Sequence, residues 1–124
     1  MKVLLIIALC IACIGAVPRQ SDQPEENEAA TKALKKYLSE NFGGMSIDWY
    51  EAIRQVSVRG DTAIITTNLD SGYGLAQRVC SGVSGYVFSR DNMHVALQKV
   101  KILGKDKKVL IFRQKLADKC SPDN

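Results

Sequence analysis

The chain has 124 residues, with 17 basic side chains against 13 acidic ones, a formal net charge of +4 and 46% hydrophobic residues. That length allows one domain, and the ordinary composition excludes a repeat array, a collagen-like chain or a wholly disordered one. With a single histidine, His94, no site on this chain can draw on two imidazoles.

Met1-Lys2 is followed by residues 3–14 without a charge, then by small residues up to Ala16. A short basic start, an apolar run and a small-residue end form the pattern of a secretory signal peptide, here 1–16 with cleavage after Ala16. The run is too short to span a bilayer, which takes about 20 apolar residues. An uncleaved anchor is one alternative. A bacterial lipoprotein acylated on Cys10 or Cys13 is another: Ile11-Ala12-Cys13 permits it, although Cys10 stands where a lipobox would carry Leu. Residues 17–27 are polar, acidic and hold two prolines, so they read as a flexible lead into the domain. After cleavage 108 residues remain and two cysteines with them, Cys80 and Cys120. An even cysteine count in an exported chain reads as one disulfide. Its loop of about 41 residues would contribute about 4 kcal/mol on the chain-entropy account. The expected location is secreted or periplasmic, with a membrane-anchored lipoprotein as the alternative.

The first element of the domain, taken as 28–120, is a helix. Asp22 can cap it, Glu25 stands at capping-box spacing and Pro24 suits a first turn. Ala30, Leu34, Tyr37, Leu38 and Phe42 recur at three- and four-residue steps, which puts them on one face. Gly43-Gly44 stop the helix near residue 42. Asp48-Trp49-Tyr50-Glu51 is a candidate for a further short capped turn.

A hairpin follows. Ile53, Val56 and Val58 precede Arg59-Gly60-Asp61-Thr62, and Ala63-Ile64-Ile65-Thr66-Thr67 comes after, so β-branched runs flank a Gly-Asp turn. Asp70-Ser71-Gly72 breaks the strand and opens a second helix, with Leu75, Ala76, Val79, Cys80, Val83, Tyr86 and Val87 on its apolar face. Cys80 thus falls on the buried side. Gly82 and Gly85 each lower helix propensity by about 1 kcal/mol relative to Ala, tolerable where another backbone packs closely. After a loop at 89–92, residues 95–103 and 108–113 form a second hairpin around Gly104-Lys105-Asp106-Lys107. Lys99 and Lys101 alternate with Val100 and Ile102, a half-buried pattern. Val109-Leu110-Ile111-Phe112 is apolar on both faces, which suggests a central or helix-covered strand. Residues 121–124 form a tail.

The two halves match at an offset of 44: Ile53, Val56, Val58, Gly60 and Ile65 fall opposite Leu97, Val100, Ile102, Gly104 and Val109. The expected fold is α+β, a four-stranded, mostly antiparallel sheet with two helices on one face, in the order α-β-β-α-β-β, with tandem duplication as one origin.

Chemistry-bearing motifs are sparse. His94 has only Asp91 nearby as a companion ligand and no nucleophile motif beside it, so it reads as a loop or strand-end residue. Asp48 with Glu51, and Asp61 with Asp70, are the carboxylate pairs closest in sequence, and capping and turn chemistry account for them. No phosphate-binding loop, dinucleotide fingerprint or zinc-protease motif is present, and no catalytic residue, metal site or small-molecule cofactor is expected. Arg59-Gly60-Asp61 spells an integrin-type adhesion tripeptide, yet a hairpin turn itself asks for Gly with polar neighbours there. Charge is the one surface signal: residues 17–51 sum to −3, 52–96 to +1 and 97–124 to +5. Lys99, Lys101, Lys105, Lys107, Lys108, Arg113 and Lys115 crowd the second hairpin, a candidate surface for an anionic lipid, a polyanion or an acidic protein. The same lysines also suit a guarded sheet edge. Nucleic acid is not expected, because export argues against it and aromatics do not interleave the basic run.

Two families share parts of this pattern. Val56-Ser57-Val58-Arg59-Gly60-Asp61, leading into an apolar strand within an α-β-β unit, resembles the BON domain over about forty residues. That resemblance implies an envelope-associated module in contact with phospholipid, although the second strand lacks that family's usual glycines. Size, export and a helix before an antiparallel sheet resemble the cystatins, inhibitors of cysteine proteases. Their inhibitory loop reads Q-x-V-x-G, whereas Gln55-Val56-Ser57-Val58-Arg59-Gly60 has one residue more. The sequence therefore predicts a small exported, non-enzymatic binding domain that meets an unknown protein or an anionic envelope surface through residues 97–115. A protease inhibitor acting through the hairpin tips at 59–62 and 103–107, and a BON-like lipoprotein, are the alternatives.

Overall fold

The computed structural model describes residues 24–71, 73–89 and 97–122. The signal-peptide, Cys10, Cys13, Asp22, Asp91 and His94 readings lie outside them. The elements are α1 (Pro24–Phe42), α2 (Asp48–Glu51), β1 (Ile53–Arg59), β2 (Thr62–Thr67), α3 (Tyr73–Val87), β3 (Lys99–Leu103) and β4 (Val109–Arg113). Among the described residues three helices stand where two were expected, because Asp48-Trp49-Tyr50-Glu51 does close a short helix. It begins with the Asp48 carboxylate accepting the Trp49 N–H at 2.7 Å.

The strands lie in the order β1-β2-β3-β4. β1–β2 and β3–β4 are antiparallel, and β2–β3 is parallel because α3 carries the chain back across the sheet before β3 begins. The sheet is thus mixed, though mostly antiparallel. Register aligns Val56, Ile65, Ile102 and Ile111 in one row and Val58, Ala63 and Val100 in the next. These side chains form one core with Leu34 and Leu38 of α1 and Val79, Cys80 and Val83 of α3. Both long helices therefore cover the same face. Each fully buried Leu or Ile contributes about 1.5–3 kcal/mol relative to exposure.

The two-residue β1–β2 turn places Gly60 at φ +61°, as a type II′ turn requires at its first central position. Gly104, its counterpart at the offset of 44, serves a different end. A Cβ there would lie 2.8 Å from the Leu69 carbonyl, which accepts the Lys105 N–H. The two helix-hairpin units also differ in hand. Because β2 and β3 run parallel, no rotation that keeps the helices on one face brings β1–β2 onto β3–β4. The geometry lends duplication no support.

β4 is an edge strand, not a central one, and the helix-covered alternative holds: Leu110 and Ile111 sit in the core against α3. An irregularity at Ile102/Leu103 opposite β4 lets Leu110 and Ile111 both enter the core, and Lys101 lies over the Phe112 ring at 5.4 Å. The outer edge of β4 is met by Ser121, whose carbonyl accepts the Phe112 N–H at 2.9 Å. The Cys80–Cys120 disulfide, Cα atoms 6.0 Å apart, holds that terminal segment to α3.

Candidate functional site

The sheet has a helix-covered face and an outer face that no described residue layers over. Outer positions carry Gln55, Ser57 and Arg59 on β1, Thr62, Ile64 and Thr66 on β2, Lys99, Lys101 and Leu103 on β3, and Val109 and Phe112 on β4. None of these is acidic. Ile64, Lys101 and Phe112 share one row across three strands.

The seven cations singled out from the sequence divide among four places. Lys99 and Lys101 stand on the outer face. Lys105, Lys107 and Lys108 occupy the β3–β4 turn, where Lys107 takes φ +68°. Arg113 departs from the others: it pairs with Val100, so it points to the helix side, its guanidinium 4.3 Å from the Phe88 ring centroid. There it donates to the Leu116 carbonyl at 2.8 Å. Lys115 is exposed in the terminal segment. Several of these charges meet carboxylates: Lys99 with Asp61 at 3.3 Å, Lys105 with Asp70 at 2.7 Å and Lys108 with Asp106 at 3.9 Å. Among the described residues Lys101 and Lys107 have no acidic partner within 4 Å. Asp70 raises the Lys105 pKa by hydrogen bond and charge.

The Arg59-Gly60-Asp61 tip is tied down. The Gly60 N–H donates to Asn27 Oδ1 at 2.9 Å, and the Asp61 carboxylate accepts Thr62 Oγ1 at 2.7 Å. That hydroxyl, with help from Lys99, holds Asp61 below the usual carboxylate range, although burial opposes it. Asp61 and Asp70 flank β2 at its two ends, so they do not form a pair. Asp48 faces Arg78 at 3.8 Å. The parallel β2–β3 pairing sets the 59–62 tip and the 103–107 turn at opposite ends of the sheet, so one cleft cannot receive both.

A feature with no forecast in the sequence lies on the other edge. Between α1, α2 and β1 opens a hollow of about 420 Å³, lined by Lys35, Leu38, Ser39, Tyr50, Glu51, Ile53 and Val56. Above it, α1 runs along β1: Asn27 Oδ1 takes the Gly60 N–H and Thr31 Oγ1 takes the Val58 N–H at 2.8 Å. The polar stripe Asn27, Thr31, Lys35 at four-residue spacing was the available sequence signal.

Among the described residues no group of three or more His, Cys, Asp or Glu is placed to hold a metal, and no helix is long and apolar enough to cross a membrane. No family model, curated protein or solved structure matches the chain, so the BON and cystatin resemblances rest on pattern alone.

Proposed function

We propose that this is an exported binding domain, without catalytic machinery of its own, that engages an anionic lipid surface through its outer sheet face and the β3–β4 turn. The observation that carries the reading is the charge of that face: Arg59, Lys99 and Lys101 with no carboxylate among the outward strand positions. Lys105, Lys107 and Lys108 extend it at one end. Phe112 and Ile64 supply apolar contact in the same row as Lys101. Basic residues near an anionic membrane contribute about 1 kcal/mol each, so a handful gives reversible, salt-sensitive attachment.

Sedimentation with phosphatidylserine-containing vesicles tests this. The protein pellets at low salt, is released at high salt and ignores neutral phosphatidylcholine vesicles. The triple charge reversal Lys101→Glu, Lys107→Glu, Lys108→Glu abolishes pelleting while the circular dichroism spectrum is retained. Absence of any salt-sensitive pelleting removes the lipid reading.

A further inference from the structure

We propose that the hollow between α1, α2 and β1 binds a small amphipathic carboxylate, held by Lys35 and the Val56 N–H. This site is separate from the outer sheet face and does not depend on it.

The inference follows from a ladder that stops one rung short. Helix α1 and strand β1 run side by side. Four helix residues advance about 6 Å and two strand residues about 6.8 Å, so side chains at i, i+4, i+8 keep step with alternate strand amides. The first two rungs close: Asn27 accepts from Gly60 and Thr31 accepts from Val58. The antiparallel register turns the Val56 N–H to the same outer edge as those of Val58 and Gly60. At the third rung helix position 35 is Lys, which carries donors and no acceptor. Lys35 and Val56 both line the hollow that opens here, and a backbone N–H and an ammonium cannot satisfy each other.

What they share is the need for an acceptor, and the positive charge favours an anionic one. The hollow begins at this rung. Leu38, Ile53 and Val56 give it an apolar wall, and Tyr50 and Ser39 add hydroxyls. Its volume lies within the range of small-molecule sites. Among the described lining residues Glu51 is the one carboxylate, and it makes no ion pair with Lys35. Arg54 donates to the Glu51 carbonyl at 2.9 Å, which sets another cation beside that residue. Charge complementarity therefore puts the ligand carboxylate at the Lys35 end and its apolar body over Ile53 and Leu38.

The test is a ¹H–¹⁵N NMR titration of the purified, disulfide-linked protein with 3-phenylpropionate and, in parallel, with 3-phenylpropanamide. The acid is expected to move the Val56 amide resonance downfield, together with those of Ile53 and Tyr50. The neutral amide binds about tenfold more weakly, and Lys35→Met, which keeps an unbranched stem at an exposed position, weakens the acid about tenfold and leaves the amide unchanged. A Val56 resonance that stays still at millimolar acid overturns the proposal. So does equal binding of acid and amide, or a Lys35→Met protein that binds the acid as well as the parent does. None of these outcomes bears on vesicle attachment, which Lys35 does not serve.

Discussion

Gly82 is where a single missing Cβ shapes the packing. A Cβ there would lie 2.5 Å from the Trp49 ring, so the glycine makes room for the indole carried by α2. A close neighbour was the condition for tolerating this glycine, but the neighbour is a ring and not a backbone. Trp49 continues into an aromatic chain: it meets Phe42 with ring centroids 4.7 Å apart, Phe42 meets Tyr37, and Tyr37 meets Tyr86. Gly82→Ala would gain about 1 kcal/mol of helix propensity. Overpacking against a wedged ring costs about 1–3 kcal/mol, so the variant is expected to be less stable by about 1 kcal/mol. A lower urea midpoint together with altered Trp49 emission is the expected result, and an unchanged midpoint would mean that the ring swings aside freely.

At the scale of elements, both sheet edges are guarded by other parts of the chain. α1 closes the second half of β1 with side-chain acceptors, and the segment ending at Ser121 closes β4 with its backbone. An unguarded edge invites pairing with another chain. Thr31→Val keeps the shape and removes the acceptor, leaving the Val58 N–H behind a helix without a partner. The expected cost is about 1–3 kcal/mol, read from chemical denaturation, with faster hydrogen exchange at Val58 than at Ile65. Burial of Thr31 by packing alone would instead make the substitution neutral. The short α2 belongs at this scale too. Four residues make no stable helix by themselves; its place is set by Trp49 over Gly82 and by the turn that delivers Tyr50 and Glu51 to the hollow.

Over the whole molecule, the disulfide joins the segment that carries Ser121 to the most buried helix, and Cys80 is itself fully buried. A domain this small hides a modest share of its surface, so a staple counts. The Cys80→Ala, Cys120→Ala double variant is expected to lose about 4 kcal/mol in denaturant unfolding. Loss of hydrogen-exchange protection at Phe112 should come with it, because the Ser121 carbonyl is no longer held in place. If Phe112 stays protected, the terminal segment is anchored by the sheet and not by sulfur.

The helices, both hairpins and the buried faces could be read along the chain, because three-to-four and two-residue periodicities and Gly-Asp turns are local properties. Cys80 on the inner face of α3 came from the same arithmetic. The parallel join of β2 to β3, the edge place of β4 and the separation of the two hairpin tips could not be read that way. They depend on which strand lies beside which after α3 crosses the sheet, and no short window of sequence carries that information. For the same reason Arg113 left the basic group once pairing with Val100 turned it to the helix side, and the hollow beside Lys35 came into being only when α1 was laid along the edge of β1.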